Sequence, residues 1–164
     1  MKINFGVIGT NVITERFLEA GKDAEGFCLR GVYSRSREKA VDFARKHGAD
    51  LAFDSLEDMA SCKEIDAVYV ASPNSLHASQ SIQMLKGGKH VLCEKPIASN
   101  QREFEEMKKV ALEKGGFYWK PCAVCTLPDF RLYGRTCISW EKSGGCLFNT
   151  VSTPEDMTTL RKGS

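Results

Sequence analysis

No run of apolar residues in this 164-residue chain approaches the ~20 needed to cross a bilayer, which argues against a membrane span. Neither sign of charge dominates either. Lys and Arg total 23 against 21 Asp and Glu, and a net charge of +2 gives no basis for a nucleic-acid or membrane-surface partner. Met1 leads straight into a strand-like run, without a basic and then apolar leader, so the expectation is a cytoplasmic protein. No internal repeat or low-complexity tract interrupts the first two-thirds. What is present is a composition of 42% hydrophobic and 27% charged residues, enough for one globular domain with a real core.

From Lys2 to Lys114 strand-like and helix-like segments alternate five times. Strands are expected at 2–9, 28–33, 50–53, 67–71 and 90–93. Helices are expected at 11–20, from the cap Ser36 to His47 with Gly48 as its stop, from Ser55 through Met59, at 76–86 and, capped by Ser99 or Asn100, up to Lys114. In the first helix Val12, Ile13, Phe17 and Leu18 form one stripe, with Thr14, Glu15 and Glu19 opposite. Short loops between alternating elements imply βαβ units. The fold class is therefore α/β, a doubly wound parallel sheet with helices on both faces over residues 1–116, followed by an irregular tail at 117–164.

In such a sheet ligands sit outside the carboxyl ends of the strands. The first strand-to-helix turn, Gly6-Val7-Ile8-Gly9-Thr10-Asn11-Val12-Ile13-Thr14, matches a dinucleotide fingerprint only at Gly9. Asn11 and Thr14 replace the other two small residues, although Asn tolerates a left-handed backbone. A helix start still aims N–H groups at a phosphate. The alternative is a glycine turn that merely joins two elements. The second strand ends in Tyr33-Ser34-Arg35-Ser36-Arg37, with Lys39 beyond, and offers no acid for a ribose 2′-OH. Hydroxyl and guanidinium groups suit a 2′-phosphate, which favours NADP with NAD as the alternative. A solvated basic turn is the competing explanation.

The most informative stretch, Ala67–Pro96, carries two such strands with polar loops, Ala71-Ser72-Pro73-Asn74 and Glu94-Lys95-Pro96. GVIGTN, VYSRSREKA, DAVYVASPNSLHA and HVLCEKP resemble the N-terminal domain of the Gfo/Idh/MocA oxidoreductases, over Lys2 to about Gly115. The resemblance implies a Rossmann domain for NAD or NADP and a second domain supplying most of a pocket for a sugar, polyol or cyclic diol. It also implies a homo-oligomer. Lys95 would lie near nicotinamide and substrate with Glu94 orienting it, and Pro73, Asn74 and His77 would border the cofactor cleft. An ammonium there can stabilise a developing alkoxide. Each residue has a plainer reading: Lys95 as a surface lysine paired with Glu94, and His77 as a residue of its helix's first turn. His47 and His90 read as structural.

Cys28, Cys62 and Cys93 read as small buried thiols of a reducing compartment. Four more cysteines, Cys122, Cys125, Cys137 and Cys146, crowd the tail, which shows no sustained periodicity. A zinc site, a genuine extension and a change of reading frame compete. Shifting the frame lets 117–130 read LLEAMRSVYTPGF and 139–147 read LGKIRRV, both like the continuation of the family. The expectation is therefore a single-base loss or equivalent frame change near the codons for Gly115 to Tyr118, no metal, a sixth strand lost or improvised from 116–120, and a truncated product inactive alone. The competing functions are a non-catalytic dinucleotide-binding module and a zinc-binding adaptor.

Overall fold

The computed structural model describes residues 2–114 and the backbone at 118–119. The tail cysteines and the expected frame change lie outside these residues. The elements run β1 (Ile3–Ile8), α1 (Val12–Lys22), β2 (Phe27–Tyr33), α2 (Arg37–His47), β3 (Leu51–Phe53), α3 (Leu56–Ser61), β4 (Ala67–Val70), α4 (His77–Lys86), β5 (His90–Cys93), α5 (Gln101–Lys114) and β6 (Tyr118–Trp119). One turn of 3-10 helix, Asn74–Leu76, precedes α4. All pairings are parallel and the sheet order is β3-β2-β1-β4-β5-β6. The chain reverses direction across the sheet between β1 and β4, which is the switch point where a crevice opens.

Local chemistry sets the helix ends. The Ser36 hydroxyl accepts from Lys39 N, and Gly48 closes α2 at φ +74. Asn100 Oδ1 accepts from Glu103 N at 2.9 Å while the Glu103 carboxylate accepts from Ser99 N at 2.9 Å, a reciprocal cap for α5. The sixth strand consists of two residues set against Val91 and Leu92.

Alternate strand residues feed two cores. Ile8, Val68, Val70, Val91 and Cys93 meet Met59 and Ala60 of α3, Met84 and Leu85 of α4, and Val110 and Ala111 of α5. On the other face Val7, Val32 and Tyr69 meet Leu18 of α1 and Phe43 and Ala44 of α2. Val7, Ile8, Val32, Val68 and Val70 are fully buried, each contributing roughly 1.5–3 kcal/mol.

The inner face of α1 is not the expected one. Thr14, Leu18 and Gly21 are its buried residues, at the i, i+4, i+7 spacing. Val12 and Ile13 are 62% and 45% exposed. The helix turns Thr14 and Leu18 toward the sheet and leaves the two apolar residues of its first turn largely to solvent. Of the three thiols expected to be buried, Cys93 is, and Cys28 and Cys62 are half-buried.

Burial pushes His47 and His90 below the ordinary histidine value of 6.5; Lys46 adds to the effect at His47, and Asp66 opposes it at His90. The unfolded chain therefore binds protons more readily than the folded one, and the stability from these two rings is complete above the unfolded value and lost as pH falls. We expect the melting temperature to fall as pH drops from 6.5 toward 5, and His47→Gln with His90→Gln to flatten that slope. Thermal unfolding followed by circular dichroism across this range checks it.

Candidate functional site

Register places the candidate residues at one end of the sheet. Ile8 lies opposite Val70, and Val70 opposite Cys93. Gly9, Ala71 and Glu94 therefore emerge side by side, tied by Ala71 N to Ile8 O at 2.9 Å and Glu94 N to Val70 O at 2.9 Å. Gly9 N donates to Tyr33 O at 3.2 Å, which draws the end of β2 to the same rim. Ser34, Arg35 and Lys39 continue from there.

Gly9 takes φ +111, and a Cβ on it would lie 2.6 Å from Ala71 O. Only glycine fits this close passage of the first turn under the β4 loop. Asn11, at the place of a second glycine, needs no left-handed backbone: it is extended (φ −100, ψ 175) and caps α1. Its Oδ1 accepts from Ile13 N at 2.9 Å and Thr14 N at 3.0 Å, and its Nδ2 donates to Ala71 O at 2.6 Å. One side chain thus satisfies two orphan amides and stitches the β1 turn to the β4 loop. The N–H of Val12, first residue of α1, has no acceptor within the helix and is not one of the two that the Asn11 side chain caps.

At the β2 tip Ser34 N donates to Phe53 O at 3.1 Å, and Ser34 Oγ accepts from Ser36 N at 3.4 Å. Arg37 is drawn away to Asp54 at 3.4 Å. Arg35 and Lys39 are exposed and, among the described residues, form no ion pair. Two cations left without carboxylates beside a hydroxyl constitute an anion-receptive corner.

On the β5 side the Glu94 carboxylate is turned inward. Oε1 accepts from the Tyr69 hydroxyl at 2.5 Å and Oε2 from Lys95 N at 3.2 Å. The alternative pairing of Glu94 with the Lys95 ammonium is not formed, because a nearly buried carboxylate takes the donor inside the core. The contact between Glu94 and Lys95 thus runs through the Lys95 main-chain N–H. Tyr69 stacks on Phe17 with centroids 3.9 Å apart, and burial together with Glu94 pushes its hydroxyl far above the ordinary phenol value. Burial likewise pushes the Cys93 thiol up to about 11, so this neighbour of the site stays protonated.

Lys95 is exposed, follows the same rim, and its peptide to Pro96 is cis. With Ile97, Asn100 and Phe104 it borders a groove of about 500 Å³. Pro73 and Asn74 are exposed on the neighbouring loop, and Ser72 is half-buried. His77 is 1% exposed and lies beneath these loops. Its Nδ1 is 2.7 Å from Pro96 O and its Nε2 is 2.8 Å from Ser72 O. Sequence reading missed Tyr69; the signal available was one hydroxyl in the otherwise apolar strand AVYV, which needs a buried partner.

A parallel sheet in this order, a glycine turn passing under the β4 loop and cations at the β2 tip define a dinucleotide-binding α/β domain. The sequence profile of the oxidoreductase family with an NAD-binding Rossmann fold, Gfo/Idh/MocA, matches residues 3–120, and the chain belongs to that family. It is 50% identical over 129 residues to the scyllo-inositol 2-dehydrogenase (NADP(+)) IolU of Bacillus subtilis, covering 79% of this chain and 39% of that protein. It is 45% identical over 147 residues to the oxidoreductase YgjR of Escherichia coli, covering 90% and 45%, an alignment that runs past residue 116. Among solved structures, the 3-ketoreductase KijD10 of Actinomadura kijaniata, in complex with TDP-benzene and NADP, superposes with a TM-score of 0.72 at 28% identity, covering 84% of this chain and 43% of that one. The chain thus spans less than half the length of these relatives. No helix among the described residues is long and apolar enough to cross a membrane.

Proposed function

We propose that this chain carries the NADP-binding half of an oxidoreductase that moves hydride between the cofactor and a hydroxyl or carbonyl of a sugar, polyol or cyclic diol. The observation that carries this is the shared rim, where Gly9, Ser34-Arg35 and Lys95 leave neighbouring strands at one end of the sheet. The residues fit the cofactor. Gly9 brings the first turn close under the β4 loop with no side chain of its own at the rim, and Arg35 has no carboxylate partner among the described residues.

Gly9, Thr10, Asn11, Val12 and Ile13 would hold the pyrophosphate at the start of α1, with the Val12 N–H as a donor. Ser34, Arg35 and Lys39 would take the 2′-phosphate by charge-assisted hydrogen bonds. Ala71, Ser72, Pro73 and Asn74 would wall the cleft on the β4 side. NADP supplies the hydride acceptor or donor. Lys95 presents an ammonium without a carboxylate partner among the described residues, suited to bind the reacting oxygen and stabilise its negative charge. Glu94 and Tyr69 fix the backbone from which that ammonium extends.

The substrate class rests on relatives named as a scyllo-inositol 2-dehydrogenase, a 1,5-anhydro-D-fructose reductase and trans-1,2-dihydrobenzene-1,2-diol dehydrogenases. Cys28, Cys62 and Cys93, unbridged among the described residues, support a reducing, cytosolic location. Fluorescence titration with NADPH and NADH tests the cofactor reading. NADPH is expected to bind at least about tenfold more tightly, one charge-assisted contact's worth. Equal or tighter NADH binding would overturn the assignment.

A further inference from the structure

We propose that His77 is a positioning residue, the latch that joins the loop of Ser72-Pro73-Asn74 to the loop of Lys95-Pro96. This rests on the proposed function only in taking those two loops as the walls of the site. The latch itself stands on geometry. The ring is buried, and each nitrogen points at the main-chain oxygen of a different loop, at 2.7 Å to Pro96 and 2.8 Å to Ser72. Both partners are carbonyl oxygens, which only accept, so each ring nitrogen bonds its loop only when it carries the hydrogen. A ring with one N–H holds one loop and turns a lone pair toward the other carbonyl. A ring with two holds both.

Among the described residues no other side chain bonds both loops. Ala71 and Glu94 are held by strand bonds to Ile8 O and Val70 O, and beyond them the ladder ends. Past that point the chain on the β4 side turns at Pro73 into the short 3-10 turn. On the β5 side it runs through Lys95-Pro96 toward the cap of α5. The imidazole, carried by the first residue of α4, bridges the two where the sheet no longer does. The consequence is mechanical. The place of the Lys95 ammonium is set by the same ring that sets the Ser72 carbonyl, so the two walls move as one.

Hydrogen exchange on the full chain tests this with three variants. His77→Asn places an amide N–H near the position of Nδ1, and His77→Gln near that of Nε2. His77→Phe fills the space with no donor. Losing a buried acceptor's partner is expected to speed local exchange about tenfold. His77→Asn should speed exchange at 72–76 while leaving 95–98 protected. His77→Gln should do the reverse, and His77→Phe should loosen both. In all three, β1 and β4 should exchange as in the parent. Uniform acceleration through α4 and β4, or the same pattern in the Asn and Gln variants, would reduce His77 to a packing residue and overturn the latch. Should His77→Phe fail to fold, the opposed Asn and Gln patterns still decide. Titration of the parent with NADPH is the separate arm: if it fails to bind while the opposed patterns hold, the cofactor reading falls and the latch stands.

Discussion

Replacing Arg35 with glutamate is expected to weaken NADPH binding about 100-fold, the loss of a charge-assisted contact compounded by a repelling carboxylate. NADH, which has no 2′-phosphate, should bind nearly as it does to the parent. The asymmetry follows from the β2 tip: Arg37 is occupied by Asp54, whereas Arg35 has no carboxylate partner among the described residues. Ser34→Asp goes further, because an acid at this tip would accept from the ribose 2′-OH and repel the phosphate. Its expected result is a reversed preference, with NADH the tighter ligand. Parallel titrations of both dinucleotides on both variants read this directly. A matched loss for NADPH and NADH would instead mean that the corner supports the fold and does not select the ligand.

Gly9→Ala is expected to cost about 2–4 kcal/mol, combining the strain of a positive φ with overpacking against a backbone oxygen. The added carbon would sit 2.6 Å from Ala71 O, and a main-chain atom cannot step aside as a flexible side chain can. The melting temperature should fall by about 10 °C, and NADPH affinity should fall with it because the turn is pushed off the β4 loop. Gly48→Ala is the control. That glycine also has positive φ, at +74, but nothing lies within 4 Å of the new carbon, so only the backbone strain of about 1–2 kcal/mol applies. The difference between the two variants isolates the contact. Equal melting shifts would show that the passage under Ala71 is looser than described.

Where a local signal decided the structure, the sequence was enough to read it. Strand β5 falls at His90–Cys93 as expected, bracketed by glycines before it and the charged loop after it. Helix α2 runs between Ser36 and Gly48 because one hydroxyl and one left-handed glycine close its ends. The β4 and β5 loops emerge together because parallel register leaves no other arrangement. What could not be read depends on distance along the chain or on which stripe of a helix meets the sheet. The periodicity of α1 pointed to Val12, Ile13, Phe17 and Leu18 as one stripe, whereas contact with the sheet buries Thr14 and Leu18 and leaves Val12 exposed. Asn11 was expected to tolerate a left-handed backbone and instead caps a helix, a role fixed by its bond to Ala71, 60 residues away. The Tyr69–Glu94 bond joins residues 25 apart, and the two partners of His77 lie 5 and 19 residues from it. No local pattern carries such pairings.

The account as a whole requires that Lys95 and the glycine turn face one ligand. Acylation of lysines on the full chain, quantified by mass spectrometry with and without saturating NADPH, tests this most directly. Bound NADPH should slow modification of Lys95 severalfold and leave Lys108 and Lys109, exposed on α5, reacting as before. Tight NADPH binding with Lys95 still reacting at the rate of Lys108 would contradict a shared cleft.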